Sequence, residues 1–259
     1  MSRTRWVAKE LGPPLAGIGG LIVVWGIVAA LTSSPGIPSP LAVWDGFVAG
    51  MKNGSIPEAA IKTLIRLAFS FAAAIVIGTA IGIGLALNEF ARRSIRPLIV
   101  ALQITPFIAW LPIAVVWFRA TERAVVFVTI VGAFPSMTLA TMAAMRQVPP
   151  LYRRAGRTLG AEGWTLYRHV IFPAALPGYM IGLQQAWGFA WKALMAAELL
   201  ISAAGAAGLG RLLADAQDDV ATLLAALAVI VAIGVAVDYL VFGRLDRRIK
   251  GRRGLLTED

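Results

Sequence analysis

Two groups of residues in this chain have the types and spacing to do chemistry. The first lies in residues 152–177, YRRAGRTLGAEGWTLYRHVIFPAALP, which hold four arginines and the only histidine, His169. The guanidinium groups of Arg153, Arg154, Arg157 and Arg168 can pair with acidic groups of a partner. Leu159 and Trp164 can anchor such a contact in an apolar pocket. The second group, Gln184, Gln185, Lys192 and Glu198, interrupts an otherwise apolar run. Gln184, Trp191 and Glu198 recur at seven-residue intervals and share a helical face, while Gln185 and Lys192 share the neighbouring one. Polar groups in such surroundings can attract an ion, line a pathway or tie helices together. Gln103 and Thr105, beside Pro106, form a smaller polar point that can soften a helix or line the same pathway.

Bond-breaking chemistry finds little material here. There is no cysteine, so disulfide frameworks and thiolate metal sites are excluded. One histidine and no H-E-x-x-H leave nothing for a metalloprotease, and no G-x-x-x-x-G-K-[ST] occurs to hold a nucleotide. Energy for any work must come from elsewhere.

The elements that must position these groups are helices in a bilayer. Mean hydropathy is +0.76 and 15% of residues are charged, against about 25% in soluble domains. A span needs about 20 mostly apolar residues. Six segments qualify, at about 11–31, 61–87, 97–118, 124–145, 174–201 and 221–242. The chain reads as one all-α integral membrane domain over residues 1–259. A cleaved secretory signal is disfavoured, because the first apolar run is too long and no A-x-A follows it.

Lysine and arginine set the orientation. Most of the 24 basic residues fall at the two termini, in the loop with Arg92, Arg93 and Arg96, and in residues 146–173. All of these lie on one side of a six-span chain, so both termini face the cytoplasm. The net charge of +10 then reflects topology and needs no nucleic-acid partner. Arginines at the lipid surface would also hold the basic segment against membrane lipid.

Glycines 156, 160 and 163 make one long helix costly across that segment. Two short helices joined near Gly160 fit better, with Pro173 and Pro177 marking the return to the membrane. Lys192 has three readings: an anion-attracting group at a dimer pathway, a structural partner of Glu198, or a side chain reaching to the outer interface. Glu198 itself is read either as pathway or as helix packing. Asp238 is expected to pair with the arginines of the tail. Gly78 and Gly82 have the spacing of a close helix approach.

The basic segment resembles the cytoplasmic loop of ABC-importer permeases, whose signature is E-A-A, three residues, G, nine residues, I-x-L-P. Ala155 matches the first alanine and Gly160 the glycine, and Val170-Ile171-Phe172-Pro173 stands nine residues on. Arg154 replaces the glutamate and Gly156 the second alanine. The residues RTLGAEGWTLYRHVIFPAALPGYMIGL and AWKALMAAELLISAAGAAGLGRLL are similar to the nitrate/sulfonate/taurine branch, with its W-x-x-L-x-A-A-E … G-L-G pattern.

The resemblance, over roughly residues 60–250, implies a type I importer permease fold in the bacterial inner membrane. It implies a coupling helix that docks on a cytosolic ATPase, through Arg154, Ala155, Arg157, Leu159, Gly160, Ala161, Trp164 and Pro173. It implies a pathway drawing on Gln103, Gln184, Gln185, Trp191, Lys192 and Glu198. The implied assembly is a second permease copy, two ATPase subunits that hold ATP and magnesium, and an external binding protein. This chain itself would bind no cofactor and catalyse nothing. Sulfonates, taurine or nitrate lead as cargo, with pyrimidine vitamin precursors, flavins or aromatic acids as alternatives. An ion-coupled secondary transporter is the other class of reading, and a membrane enzyme a third.

Overall fold

The computed structural model describes residues 3–32, 34, 36–201 and 207–245, with side chains described from residue 16 onward. All regular structure in it is helical. In order, α1 spans Arg3–Thr32, α2 Pro40–Lys52, α3 Ser55–Leu87, α4 Glu89–Ile104, α5 Leu111–Phe118 and α6 Glu122–Arg146. There follow α7 Pro150–Thr158, α8 Gly163–Leu166, α9 Phe172–Leu200, α10 Leu209–Asp215 and α11 Val220–Val237. A 3₁₀ turn at Phe107–Trp110 leads into α5, and π-helical turns at Tyr167–Ile171 and Asp238–Phe242 precede α9 and follow α11.

By length and composition three of these helices can cross a bilayer: α3, α6 and the helix running from Val220 through Leu245. The run read as one span at 97–118 is instead broken. Glu89–Ile104 and Phe107–Phe118 meet at 98°, and the pair together counts as a fourth candidate. The cause is local: Pro106 has no amide to donate and disfavours helical backbone at Thr105, which sits at ψ 124°. The first expected span falls on α1, whose portion with described side chains, Ala16–Thr32, is apolar. Helix α9 has 29 residues, about 44 Å at ~1.5 Å per residue, but Gln184, Gln185, Lys192 and Glu198 dilute its apolar character.

Helix α6 is the centre of the bundle, packed along its length by α3 on one side and α9 on the other. Small residues permit the approach. A methyl group on Gly78 would meet the Cβ of Met137 at 2.7 Å and the Phe134 carbonyl at 2.8 Å. One on Gly82 would meet the Thr138 carbonyl at 2.6 Å, so the spacing in GTAIG does mark a helix contact. Trp187, Leu194, Val128 and Leu67 fill the core between these helices.

At the basic end, Asn88 caps α4, and Glu89 in its first turn pairs with Arg92, with Arg93 at 2.7 Å and with Arg146 at 3.6 Å. Its carboxyl is held at about 2, first by the hydrogen bond from Arg92 and then by that from Arg93. It therefore stays charged across the physiological range and fastens α4 to the end of α6.

Candidate functional site

The basic segment folds as two short helices, α7 and α8, joined by a tight turn. At the end of α7 the Gly160 amide donates to the Arg157 carbonyl, and the Ala161 amide to the Gly156 carbonyl, both at 2.9 Å. Gly160 itself sits at φ +81°. This pair of bonds around a left-handed residue closes the helix and satisfies its last carbonyls. A methyl group on Gly160 would meet nothing within 4 Å, so backbone conformation alone demands glycine there.

The segment is fixed from beneath. Leu166 and Ile171 are buried with Ala144, Met145, Val148 and Ala175, joining it to the end of α6 and the start of α9. Gly156, which stands where the importer loop has its second alanine, lies against this cluster. A methyl there would reach 2.7 Å from Leu166 Cδ1 and 3.1 Å from Val170 Cγ2. Arg153 donates to the Met145 carbonyl at 3.3 Å, so this arginine belongs to the support.

The outward surface carries most of the remaining expected residues. Leu159 is 86% exposed and Trp164 63%, the latter edge-on to Phe172 at 5.6 Å. Arg154, Ala155, Arg157 and Pro173 are exposed, and Ala161 is half-buried. Arg154, Arg157 and Arg168 form no ion pair among the described residues. The knob thus presents exposed apolar tips beside guanidinium groups that form no ion pair among the described residues.

The polar residues of α9 separate into two settings. Glu198, 4% exposed, accepts hydrogen bonds from Thr63 Oγ1 at 2.8 Å and the Gly210 amide at 3.1 Å, and forms an ion pair with Arg66. Arg66, 7% exposed, reaches the outward-lying Glu122 at 2.9 Å with its other Nη. Thr63 in turn accepts the Leu209 amide at 2.8 Å. Four helices, α3, α6, α9 and α10, thus meet at one charged hub.

The hub also explains G-L-G. A methyl on Gly208 would fall 2.6 Å from Glu198 Oε2, and one on Gly210 would strike Glu198 Cβ at 2.6 Å and the Met195 carbonyl at 2.8 Å. Neither spacing nor motif singles out Arg66 and Thr63 in the sequence. The available signal was a lone arginine in an apolar run, which requires a carboxylate partner. Glu198 was within reach as that partner.

The expected seven-residue series does not share one environment. Glu198 is covered by α3 and α10. Trp191 is half-buried, stacked on Trp187 at 5.9 Å and set against Gly234 of α11. Gln184 is exposed and donates to Asp238 at 2.8 Å. Asp238 therefore has its partner on α9 and forms no ion pair with Arg244, the tail arginine among the described residues; Arg247, Arg248, Lys250, Arg252 and Arg253 lie outside them. Helical period places the series on one side of α9, but different elements cover that side at each level.

Lys192 and Gln185 occupy the outward face of α9 and are exposed. The structural pairing of Lys192 with Glu198 is absent, because Glu198 points into the hub; Lys192 has no ion pair or hydrogen bond among the described residues. The broken span packs against this helix. At Gly132 the Cβ atoms of Ala193 and Phe107 converge, 2.7 and 3.6 Å from where a methyl would stand. Gln103, half-buried, lies one turn before the break, and Thr105 and Pro106 are exposed.

Residues 74–251 match the family of binding-protein-dependent transport system inner membrane components. The chain is 31% identical over 242 residues to the bicarbonate transport system permease protein CmpB of Synechococcus elongatus, covering 88% of this chain and 86% of the relative. It is 30% identical over 236 residues to the nitrate import permease protein NrtB of Synechocystis, with 87% and 84% covered. Against the taurine transport system permease protein TauC of Escherichia coli it is 28% identical over 255 residues, covering 95% and 91%. Among solved structures, an inward-facing form of the MetNI methionine ABC transporter superposes with TM-score 0.64 at 20% identity. It covers 76% of this chain and 97% of that one. An amino acid ABC transporter gives 0.58 at 21%, covering 80% and 98%.

The hub makes a stability prediction. Removing one partner of a buried ion pair leaves an uncompensated charge, at a cost of about 3–5 kcal/mol. Arg66→Leu should lower the thermal midpoint of the detergent-purified chain markedly. Arg66→Leu with Glu198→Leu should recover much of that loss, since no charge is then stranded. Melting curves of the two variants decide it; a single variant as stable as the wild type contradicts the buried pair.

Proposed function

The chain belongs to the family of binding-protein-dependent transport system inner membrane components, and from that premise we propose that it is the translocation subunit of an ATP-driven importer of small anions. It is a multi-pass protein of the bacterial inner membrane. The observation that supports the coupling role is the knob of α7 and α8. Its turn is closed by Gly160 at positive φ, its base is packed onto α6 and α9, and its tip is exposed. A rigid body of this kind can carry displacement from a docked subunit into the membrane helices.

Hydrolysis of ATP with magnesium would take place on a separate ATPase bound at Arg154, Ala155, Arg157, Leu159, Gly160, Ala161, Trp164 and Pro173. The assembly would comprise two permease copies, two ATPase subunits and an external binding protein, which delivers the cargo. In this reading residues 1–259 form one domain of six spans, with both termini and the knob in the cytoplasm. The broken third span supports a pathway beside α9, since non-helical backbone at membrane depth must face protein or water. Gln103, Gln184, Gln185, Trp191, Lys192 and Glu198 would line or support it.

The relatives are permeases for bicarbonate, nitrate and taurine. A compact group with negatively charged oxygens is common to these cargoes, so nitrate, bicarbonate or a sulfonate is proposed here. An ion-coupled transporter would need a free membrane carboxylate. Glu198 is occupied by Arg66, Thr63 and Gly210, and Asp238 by Gln184.

Two experiments test this reading. The chain has no cysteine, so single cysteines report sidedness. A membrane-impermeant thiol reagent applied to intact cells should label Ser39→Cys and spare Thr158→Cys; the reverse pattern rejects the topology. For coupling, Gly160→Val places a β-branched residue at positive φ, where it is strongly disfavoured. Membrane insertion should stay normal, while the ATPase is lost on purification and substrate-stimulated ATP hydrolysis disappears. A Gly160→Val chain that keeps both shows that another element couples.

A further inference from the structure

Charge accounting at membrane depth isolates one residue. Arg66 is matched by Glu198 and Glu122, so the hub carries more negative than positive charge and cannot draw in an anion. Asp238 accepts from Gln184. Lys62 pairs with Glu58 at 2.8 Å. Lys192 alone of the ionisable groups within α9 is exposed and lacks an ion pair or hydrogen bond among the described residues. It lies eight residues before Leu200, the end of α9, about 12 Å along the axis at ~1.5 Å per residue.

The face it occupies is more polar than its neighbours, although Ile181, 67% exposed, continues it toward the start of α9. Gln185, Gly188 and Lys192 follow one another at three- and four-residue spacing, and so stand in one row. The space over Gly188 is open, since a methyl there would meet nothing within 4 Å. Outward faces elsewhere in the bundle carry Phe69 and Val76 on α3, or Val231 and Val235 on α11. Beside the polar row lies the broken span, whose 3₁₀ turn packs against α9. An unpaired ammonium, one carboxamide and an open glycine thus stand in one row on α9, next to the turn that holds the broken backbone.

We propose that Lys192 is the charge-selecting residue of the pathway, where its ammonium holds a small oxyanion in passage over Gly188. This deepens the importer reading given above and rests on it. Lysine suits the task because it offers a mobile point charge with three donors and imposes no planar, bidentate geometry. A passing ion is thereby attracted without being clamped. Low-dielectric walls around an aqueous cleft focus the field of a single charge and raise the local concentration of its counter-ion.

The test reads the field directly and needs no identified cargo. Gly188→Cys puts a thiol one helical turn from Lys192 in the full-length chain, assembled with its ATPase in the membrane. Its reaction rates with the anionic sulfonatoethyl and the cationic trimethylammonioethyl methanethiosulfonates are each normalised to a free thiol in solution. The anionic reagent should be favoured by at least about fivefold. That preference should collapse toward unity with Lys192→Gln and persist with Lys192→Arg. A thiol inert to both reagents faces lipid, and a preference indifferent to Lys192→Gln means the ammonium has turned away to the interface; either result overturns the proposal. A second arm, ATP-dependent uptake of labelled nitrate, bicarbonate and taurine by the same assembly, separates the two claims. A charge preference without such uptake leaves the anion site standing and removes the importer reading, whereas uptake with no preference removes the role of Lys192 alone.

Discussion

The buried carboxylate of Glu198 is the constraint from which much of the bundle follows. A carboxylate removed from water is tolerable only with close compensation. Here it has Arg66 and Thr63 from α3 and the Gly210 amide from α10. Satisfying it fixes how α3 meets α9, and it pulls the start of α10 down over both. It also requires glycine at 208 and 210, where any side chain would enter the space the glutamate fills. By turning inward, Glu198 leaves the outward face of α9 with an unopposed positive charge. The buried ion pair and the exposed, unpaired ammonium of Lys192 are therefore two results of one packing arrangement.

At the other end of the bundle the controlling factor is backbone geometry. Gly160 ends α7 by a left-handed turn, and the apolar cluster of Leu166, Ile171, Met145 and Ala175 locks α7 and α8 to the helices they join. The knob cannot tilt without shifting the end of α6 or the start of α9. Helix α6 then runs the full depth of the bundle, in close contact with α3 through Gly78 and Gly82. A continuous, tightly packed path connects the exposed tip of the knob to the hub around Glu198. Such contact makes mechanical transmission possible, and its direction would be set by whatever docks on the tip.

Legibility in the sequence followed the range of the interaction. The knob was readable because its determinants are local: three glycines, the prolines beyond them and an alternation of basic and apolar residues within one short segment. Helix α3 and helix α6 were readable from composition. The break at Thr105–Pro106 was visible only as a softening, since proline can kink a helix or end it and neighbouring packing decides which. The hub was not readable as an assembly. Arg66 and Glu198 are separated by 132 residues, and a helical wheel of α9 alone groups Glu198 with Gln184 and Trp191. Only the placement of α3 and α10 reveals that these three residues live in different surroundings.

In the proposed function this chain moves small anions, driven by ATP hydrolysis on another subunit and coupled to it through the knob. The most direct test is transport by the purified components in proteoliposomes: this chain, the ATPase and the binding protein of the same system. Isotope-labelled nitrate, bicarbonate and taurine serve as probes. The account predicts uptake of at least one of them that requires ATP and both partner proteins, and that neither a proton nor a sodium gradient replaces. Uptake by this chain alone, driven by an ion gradient and indifferent to ATP, would contradict it.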